Sequence, residues 1–181
     1  MELIELLDFA VKGWDNPNGT APWDIKTQIQ DRVLYIAFPP TQGNFFSWIV
    51  NLLAYSMLGI HFGFYAAYFL AVKRVKDTAI RLGVKEIHFT GFSRGGAMAE
   101  IGACDAYFNE FNTKATSFAA PKWSLRPKFG KITRYEVGGD IVPQLPPFYW
   151  SPRVRVRIQW RTIPSFTAHS PAVYREALRK L

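Results

Sequence analysis

The sequence predicts an α/β fold in which helices cover both faces of a mainly parallel β-sheet. Continuous apolar runs such as RVLYIAF and VKEIHFTGF, rich in β-branched and aromatic residues, are typical of strands that are buried on both faces. These runs alternate along the chain with segments whose apolar residues recur at helical spacing. Such alternation is typical of parallel sheets built from strand-helix-strand units.

The predicted elements begin with a helix from Glu2 to Val11, followed by a turn-rich segment and the strand RVLYIAF. A second helix is predicted to end at Gly83, because glycine is common just after a helix C-terminus. The strand VKEIHFTGF precedes a helix over GGAMAEIGACDAYF, and two more strands are predicted at ATSFAA and ITRYEV. The last helix is predicted to begin after Ser170, with Pro171 at its first position.

The segment RVRVRIQW alternates strictly between basic and apolar residues. Because successive side chains of a strand point to opposite faces, it predicts an outer strand with one solvated face. That face would carry Arg153, Arg155, Arg157 and Arg161. Such a face commonly protects an edge strand from pairing. It also suits contact with an anionic lipid surface, and both interpretations stay open.

Composition limits the partners and cofactors. A length of 181 residues predicts one domain, residues 1–181. Cys104 is the only cysteine, so neither a disulfide framework nor a zinc site is expected, and no motif indicates a cofactor. The net charge of +8 favours encounters with anionic surfaces. No nucleic-acid-binding signature accompanies this charge, so no specific nucleic-acid partner is expected.

Targeting and membrane signals are weak. The N-terminus, MELIELLD, has neither a basic n-region nor a small-residue cleavage site. A cytoplasmic location is therefore the default expectation, and a secreted or membrane-peripheral location stays open. From Phe45 to Val72 the chain has no Asp, Glu, Lys or Arg, a length that could cross a bilayer. Polar residues and the break at GIHFG favour two amphipathic helices instead.

A serine stands where a strand turns into a helix. Residues 91–95, Gly-Phe-Ser-Arg-Gly, match the pattern G-x-S-x-G in the strand-to-helix context that a nucleophile elbow requires. The serine backbone is strained in such a turn, and the strand and helix approach too closely for side chains at the glycines. Ser93 is therefore predicted at the carboxyl edge of the sheet, at a helix N-terminus. A connecting Gly-Ser turn without chemistry is the alternative.

A serine hydroxyl needs a base, and the base needs a carboxylate that orients it. In proteins with a nucleophile elbow, the acid follows the serine in the chain and the histidine follows the acid. His61 and His88 precede Ser93, which leaves His169, in the loop PSFTAHSP, as the predicted base.

The carboxylate is also found by elimination. The acidic residues between Ser93 and His169 are Glu100, Asp105, Glu110, Glu136 and Asp140. The first three are predicted on the helix that leaves the elbow, and Glu136 lies inside a strand. Asp140 follows RYEVGG at the carboxyl end of a strand, where an orienting carboxylate belongs. Asp140 alone could be a turn residue, but its order and loop position predict the triad Ser93, Asp140 and His169.

Several separated segments match one known family. GFSRGGAMAE is similar to its nucleophile elbow, FAAP to its next strand, and DIVPQLP to its D-x-V-P-x-L-P stretch, which carries the acid. IHFGF is similar to its His-x-Gly-Phe segment, which implies a structural role for His61. On these segments the chain resembles the class 3 lipase family of α/β-hydrolases, from about Val33 to His169.

The resemblance implies an α/β-hydrolase-like three-layer sandwich and hydrolysis of acyl esters without a metal or cofactor. AFPPTQGNFFSWIVNL resembles the family's oxyanion loop. Thr41 would bind the oxyanion with its N–H and hydroxyl, together with the N–H of Arg94. The usual Arg-Gly before that threonine is Pro39-Pro40 here, and the usual Asp-Trp is Ser47-Trp48. The short spacing between the triad residues implies a trimmed member of the family.

We therefore expect a serine carboxylic ester hydrolase, of the lipase, esterase or phospholipase type, that acts on acyl lipids. A membrane-associated lipid-binding protein with a catalytically silent hydrolase fold is the alternative. An acyltransferase or peptidase also stays open, because these enzymes share the acyl-enzyme. The resemblance further implies a lid at NFFSWIVNLLAYSML, for which a helix buried on all sides is the alternative.

Overall fold

The structure, a computed structural model, describes residues 1–12, 24–41, 56–57, 60–126, 130–150, 155–160 and 165–181. The helices are α1 (Leu3–Val11), α2 (Phe62–Arg81), α3 (Arg94–Cys104) and α4 (Pro171–Leu178). The strands are β1 (Lys26–Gln30), β2 (Val33–Phe38), β3 (Ser56–Met57), β4 (Ile60–His61), β5 (Glu86–Phe92), β6 (Asn112–Phe118), β7 (Ile132–Val137) and β8 (Arg155–Ile158). Short 3-10 helices lie at Ala106–Phe108, Val142–Gln144 and Phe166–Ala168.

Six strands form one sheet in the order β1-β2-β5-β6-β7-β8. Every pairing from β2 to β8 is parallel, and β1 pairs with β2 in antiparallel orientation at one edge. The predicted mainly parallel sheet is therefore confirmed. The sequence did not predict β1, because KTQIQ is a largely exposed edge strand and lacks the apolar run of a buried one.

Two apolar layers enclose the sheet. Leu34, Ile36 and Phe38 of β2 pack in the layer that contains α2 and α3. Tyr35 of the same strand packs in the other layer, with α1 and α4. This division follows from the alternation of side chains along a strand. Helices on both faces, and thus the three-layer sandwich, are confirmed.

Local chemistry determines several helix ends as predicted. The side chain of Ser170 accepts the N–H of Ala172 at 3.3 Å and caps α4, whose first residue is Pro171. Gly83 follows α2 with φ +62°, a conformation that glycine adopts without strain.

The helix after the elbow is shorter than predicted. It ends at Cys104, and the Asp105 carboxylate accepts the N–H of Tyr107 at 2.9 Å and starts a 3-10 turn. Aspartate favours such turns because its side chain competes for nearby backbone N–H groups. The placement of Asp105 and Glu110 on this helix was therefore wrong, whereas Glu100 does lie on it.

The long uncharged segment is interrupted at the predicted place. β4, which lies within GIHFG, pairs in antiparallel orientation with β3, and α2 begins only at Phe62. Among the described residues, no helix has both the length and the apolar character needed to span a bilayer. Residues 44–55 of the predicted lid, together with the side chains of residues 56 and 57 and with Leu58, fall outside the described part.

The last strand lies at the sheet edge. Arg155 and Arg157 of β8 are exposed, Val156 is half-buried and Ile158 is buried, as the alternation predicts. Arg153 and Arg161, which the sequence places on the same face, lie outside the described residues.

Candidate active site

Ser93 lies in the turn between β5 and α3, with φ 56° and ψ −123°. Residues other than glycine rarely adopt a positive φ, so the turn is strained. A β-carbon on Gly91 would lie 2.1 Å from the carbonyl carbon of Gly95, and one on Gly95 would lie 2.3 Å from the carbonyl oxygen of Phe38. The two glycines are therefore required by contact, as their spacing predicts. The N–H of Ser93 donates to the Phe118 carbonyl of β6 at 2.9 Å, which ties the turn to the neighbouring strand.

The structure brings the predicted triad residues together at the carboxyl edge of the sheet. Nε2 of His169 lies 2.9 Å from Oγ of Ser93, and Nδ1 lies 2.9 Å from Oδ2 of Asp140. Ser93 and Asp140 are buried, and the His169 side chain is 15% exposed. With a proton on Nδ1, the imidazole donates to Asp140 and accepts the serine hydroxyl proton at Nε2. This is the geometry that general-base activation of a serine requires.

The Asp140 carboxylate is bonded at both oxygens. Oδ1 accepts the N–H of Val142 at 2.9 Å, and Oδ2 accepts the Tyr174 hydroxyl at 2.8 Å in addition to His169. Burial, and then the charge of Asp140, raises the pKa of Tyr174 well above its usual 10, so the phenol remains a proton donor. The same hydroxyl accepts the N–H of Val137 at 3.2 Å. These bonds orient the carboxylate independently of its contact with the imidazole.

Tyr174 was missed by the sequence reasoning. Helical spacing in α4 places Tyr174 with Ala177 and Leu178 on the buried face, so its burial could have been predicted. Its partner could not, because Asp140 belongs to a loop 34 residues earlier.

The loop that carries His169 is bonded to the loop that carries Asp140. The N–H of Ser165 donates to the Gly139 carbonyl at 2.6 Å, and the N–H of His169 donates to the Phe166 carbonyl at 3.0 Å. The imidazole also packs on the ring of Phe92, with centroids 5.1 Å apart. These contacts connect the loop that carries the base to the loop that carries the carboxylate and to β5.

Of the two predicted oxyanion residues, Arg94 lies in the elbow, and the residues that precede Thr41 contact the elbow. Arg94 is the first residue of α3, so its N–H belongs to the free N–H groups of a helix N-terminus. Its guanidinium donates to the Pro40 carbonyl at 3.1 Å, next to Thr41. Burial lowers the pKa of Arg94 to about 10, so the guanidinium stays charged at neutral pH. This bond, and the close approach of Phe38 and Gly95, place the chain that leads to Thr41 against the elbow.

The other two histidines have different surroundings. His88 lies in β5 with Nε2 2.8 Å from the Thr116 hydroxyl, and burial lowers its pKa to about 4. His61 precedes α2 and is buried, stacked on Phe64 with centroids 4.0 Å apart. Neither contacts Ser93 in the described contacts, in agreement with the elimination that selected His169.

A buried charge cluster lies below the elbow helix. Glu100 accepts hydrogen bonds from the Ser117 hydroxyl at 2.5 Å and from the Trp123 indole at 2.8 Å. Arg134 lies 3.4 Å from Glu100 and 3.1 Å from Glu136, and all three charged side chains are buried. Burial raises the pKa of Glu100. The cluster joins α3 to β6 and β7 and does not contact the triad in the described contacts.

No group of three or more His, Cys, Asp and Glu residues that could hold a metal occurs in the part of the chain that the structure describes.

Comparison with known proteins gives a family and a fold. The family model described as lipase (class 3) matches residues 28–150, which include Ser93 and Asp140 but not His169. The sequence has no match among curated proteins.

Three similar solved structures are all lipases. Lip2 lipase from Yarrowia lipolytica has a TM-score of 0.66 and 15% identity, over 87% of this chain and 78% of that one. A triacylglycerol lipase whose catalytic centre is a serine protease triad has a TM-score of 0.59 and 21% identity, over 84% and 77%. The triacylglyceride lipase from Rhizomucor miehei has a TM-score of 0.57 and 21% identity, over 74% and 61%.

At these identities the structural likeness shows the common fold, and the family is shown by the sequence match. The match covers more than half of the 181 residues, including the elbow and the acid loop. The chain therefore belongs to the class 3 lipase family and has the α/β-hydrolase fold.

Proposed function

We propose that this chain is a serine carboxylic ester hydrolase that cleaves acyl esters of lipids. The observation that carries the proposal is the pair of 2.9 Å contacts linking Ser93, His169 and Asp140. Membership of the lipase family supports it. So does the serine protease triad that forms the catalytic centre of the related triacylglycerol lipase.

In the proposed reaction Oγ of Ser93 attacks the ester carbonyl carbon while Nε2 of His169 accepts the hydroxyl proton. The imidazolium then donates this proton to the leaving alcohol oxygen, and the acyl group remains on Ser93. A water molecule, deprotonated by the same nitrogen, attacks the acyl carbon, and the imidazolium returns the proton to Oγ of Ser93 as the bond between Oγ and the acyl carbon breaks and the acid is released. Asp140 holds the imidazole in the tautomer with hydrogen on Nδ1 and stabilises the imidazolium.

The oxyanion of the tetrahedral intermediate would be bound by the N–H of Arg94 and by the N–H and hydroxyl of Thr41. One such donor contributes roughly 3 to 4 kcal/mol of transition-state stabilisation. The position of Arg94 at a helix N-terminus supports this role, because the helix dipole favours negative charge there.

A serine-reactive fluorophosphonate tests the proposal. The folded wild-type protein should be labelled, and Ser93→Ala should not be. Heat-unfolded wild type is the control for nonspecific labelling, since an isolated serine hydroxyl is a poor nucleophile. Absence of labelling in the folded wild type would favour a catalytically silent lipid-binding protein.

A lipid substrate also suggests contact with an anionic lipid surface. Arg155 and Arg157 are exposed on the edge strand β8 and belong to a chain of net charge +8. Basic residues near an anionic membrane contribute about 1 kcal/mol each to binding. We therefore also propose that the protein contacts anionic lipid surfaces peripherally through the arginine face formed by Arg155 and Arg157.

A further inference from the structure

A cavity of about 310 Å³ lies next to the last two strands of the sheet. Among the described residues it is lined by Lys122, Pro147, Phe148, Tyr149, Trp150 and Arg155, and no triad residue lines it. Its wall thus combines basic side chains with aromatic rings. We call it the Lys122–Arg155 pocket.

Backbone hydrogen bonds hold two walls of this pocket together. The N–H of Lys122 donates to the Leu145 carbonyl at 2.7 Å, and the N–H of Trp150 donates to the Ser124 carbonyl at 2.5 Å. Residues 122–124 follow the carboxyl end of β6, and residues 145–150 follow that of β7. These walls therefore begin at the edge of the sheet that also carries Ser93.

The third wall is the basic face of β8. Arg155 is the register partner of Arg134 in β7, and register partners in a parallel pair point to the same face of the sheet. Arg134 contacts Glu100 of α3, so Arg155 lies on the same side of the sheet as α3. Arg157, two residues further along β8, is exposed on the same face but does not line the pocket.

The pocket has an excess of positive charge. In the described part of the chain no carboxylate forms an ion pair with Lys122 or Arg155. The Lys122 ammonium lies 3.5 Å from the neutral Pro147 carbonyl. Burial, and then the charges of Arg134 and Arg155, lowers the pKa of Lys122, whereas Glu136 acts in the opposite direction. Glu136, 3.1 Å from Arg134, offsets part of this positive charge. No carboxylate is among the described residues that line the pocket, so its charged lining groups are Lys122 and Arg155.

The rim of the pocket is aromatic and exposed. Phe148 is 87% exposed and Trp150 is 44% exposed. Exposed apolar groups at the rim of a charged pocket favour a ligand that is itself partly apolar. Aromatic rings with a polar tip, such as that of tryptophan, are common where protein meets the lipid headgroup region.

We propose that the Lys122–Arg155 pocket binds the phosphate group of an anionic lipid, with Phe148 and Trp150 in contact with the apolar part of the same molecule. Guanidinium and ammonium groups both bind phosphate oxygens, and together they match a group that carries up to two negative charges. The proposal takes acyl lipids as the ligand class from the proposed function, but binding in this pocket requires no turnover.

The test is calorimetric titration of the Ser93→Ala protein with monomeric short-chain phosphatidic acid. The Ser93→Ala background keeps the lipid intact if the proposed function is correct. Lys122→Ala and Arg155→Ala should each weaken binding about fivefold, the equivalent of one basic contact. Arg157→Ala is the matched control, because it removes the same charge from the same face outside the pocket, and it should leave the affinity unchanged. Arg155 is exposed, so its variant should fold even if the Lys122 variant does not.

Further ligands separate a lipid site from a site for small anions. Inorganic phosphate and glycerol phosphate should bind more weakly than the short-chain lipid, and Phe148→Ala and Trp150→Ala should reduce that difference. Short-chain phosphatidylcholine, which has no net charge, should bind more weakly than phosphatidic acid. Equal affinities for glycerol phosphate and the lipid would overturn the assignment to a lipid. Absence of binding, or equal losses of affinity in Arg155→Ala and Arg157→Ala, would overturn the proposal that this pocket binds the lipid.

The outcome is independent of the proposed hydrolysis. In the chain with Ser93 intact, Lys122→Ala and Arg155→Ala should hydrolyse an uncharged soluble ester at the wild-type rate. Absence of this hydrolysis in the wild type would count against the proposed function. For the two variants, the proposed pocket predicts weaker lipid binding with hydrolysis retained.

Discussion

The Tyr174 hydroxyl donates a 2.8 Å hydrogen bond to Oδ2 of Asp140, the same oxygen that lies 2.9 Å from Nδ1 of His169. The ring of Tyr174 also packs edge-on against Phe92, which lies against the imidazole. A tyrosine on the last helix therefore supports both the carboxylate and the base from below.

Tyr174→Phe should reduce kcat several-fold and leave KM nearly unchanged, because the ring packing remains and only the orientation of Asp140 is loosened. The N–H of Val137 also loses its acceptor, which should lower the free energy of unfolding by about 1 to 3 kcal/mol. Tyr174→Ala removes the packed ring as well and should cost roughly 3 to 5 kcal/mol. Full kcat in a folded Tyr174→Phe protein would contradict the positioning role.

Ser93→Ala, Asp140→Ala and His169→Ala should each reduce ester hydrolysis by roughly three orders of magnitude or more. The double variants should be little worse than the singles, because the residues act as a unit. His61→Ala is the control histidine. If His61→Ala inactivated the protein while His169→Ala did not, the assignment of the base would be wrong. Melting curves must show that each variant is folded.

Two glycines at equivalent helix positions should respond in opposite ways to substitution by alanine. Gly95 is the second residue of α3 and Gly63 the second residue of α2. A β-carbon on Gly95 would collide with the Phe38 carbonyl at 2.3 Å, so Gly95→Ala should destabilise the fold and abolish labelling of Ser93. A β-carbon on Gly63 would meet nothing closer than 3.5 Å, so Gly63→Ala should be neutral or stabilise by up to about 1 kcal/mol. Thermal melting of the two variants checks this, and equal melting temperatures would contradict the packing argument.

Stability should fall on acidification through the range in which His88 titrates. Burial lowers the pKa of His88 to about 4 from its ordinary 6.5, so between these values the unfolded chain binds a proton that the folded chain does not. Stability is therefore fully present above pH 6.5 and decreases as the pH falls toward 4, by on the order of 3 kcal/mol in total.

His88→Gln retains a polar partner for Thr116 without the titration, and it should flatten this part of the pH dependence. Denaturant unfolding of wild type and variant across the range measures the difference. Parallel curves for the two proteins would show that His88 is not the source.

Reversing the charges of Arg155 and Arg157 to Glu should weaken sedimentation with anionic vesicles. Hydrolysis of a soluble ester should be unchanged, because neither residue contacts the triad in the described contacts. Arg81→Glu with Lys85→Glu changes the same number of charges at the end of α2 and just before β5, at the opposite edge of the sheet from Ser93, and serves as the control. Equal vesicle binding by the two double variants would retire the arginine face as a docking surface.

Several features could be predicted because their causes lie within a few residues of each other. The glycines around Ser93 follow from steric contact within a single turn, and the cap at Ser170 is a bond to a residue two positions later. Apolar runs and strict alternation distinguish buried strands from the edge strand β8, because the period of a strand is local. Order in the chain was sufficient to select His169, and order together with a position just after a strand was sufficient to select Asp140.

Other features depend on residues that only the folded chain brings together. A sequence pattern indicates that Tyr174 lies on the buried face of a helix and that Arg134 lies in a strand. It does not indicate which side chain each of them contacts. The contacts of Tyr174 with Asp140 and of Arg134 with Glu100 each join residues 34 positions apart. Likewise, β1 is held by pairing with β2 and not by any apolar pattern of its own.

The basic pocket shows the same division. Arg155 could be assigned to an exposed face from its alternation alone. Its approach to Lys122 depends on how the residues after β6 and β7 cross the end of the sheet. Local propensity acts over one turn or one strand. Charge pairing and cavity shape depend instead on contacts between segments that are distant in the chain, and the sequence does not indicate which of these segments meet. The sequence by itself therefore determined most of the elements and the order of the candidate triad, whereas the tertiary structure decided the edge strand β1 and the partners of the buried and basic side chains.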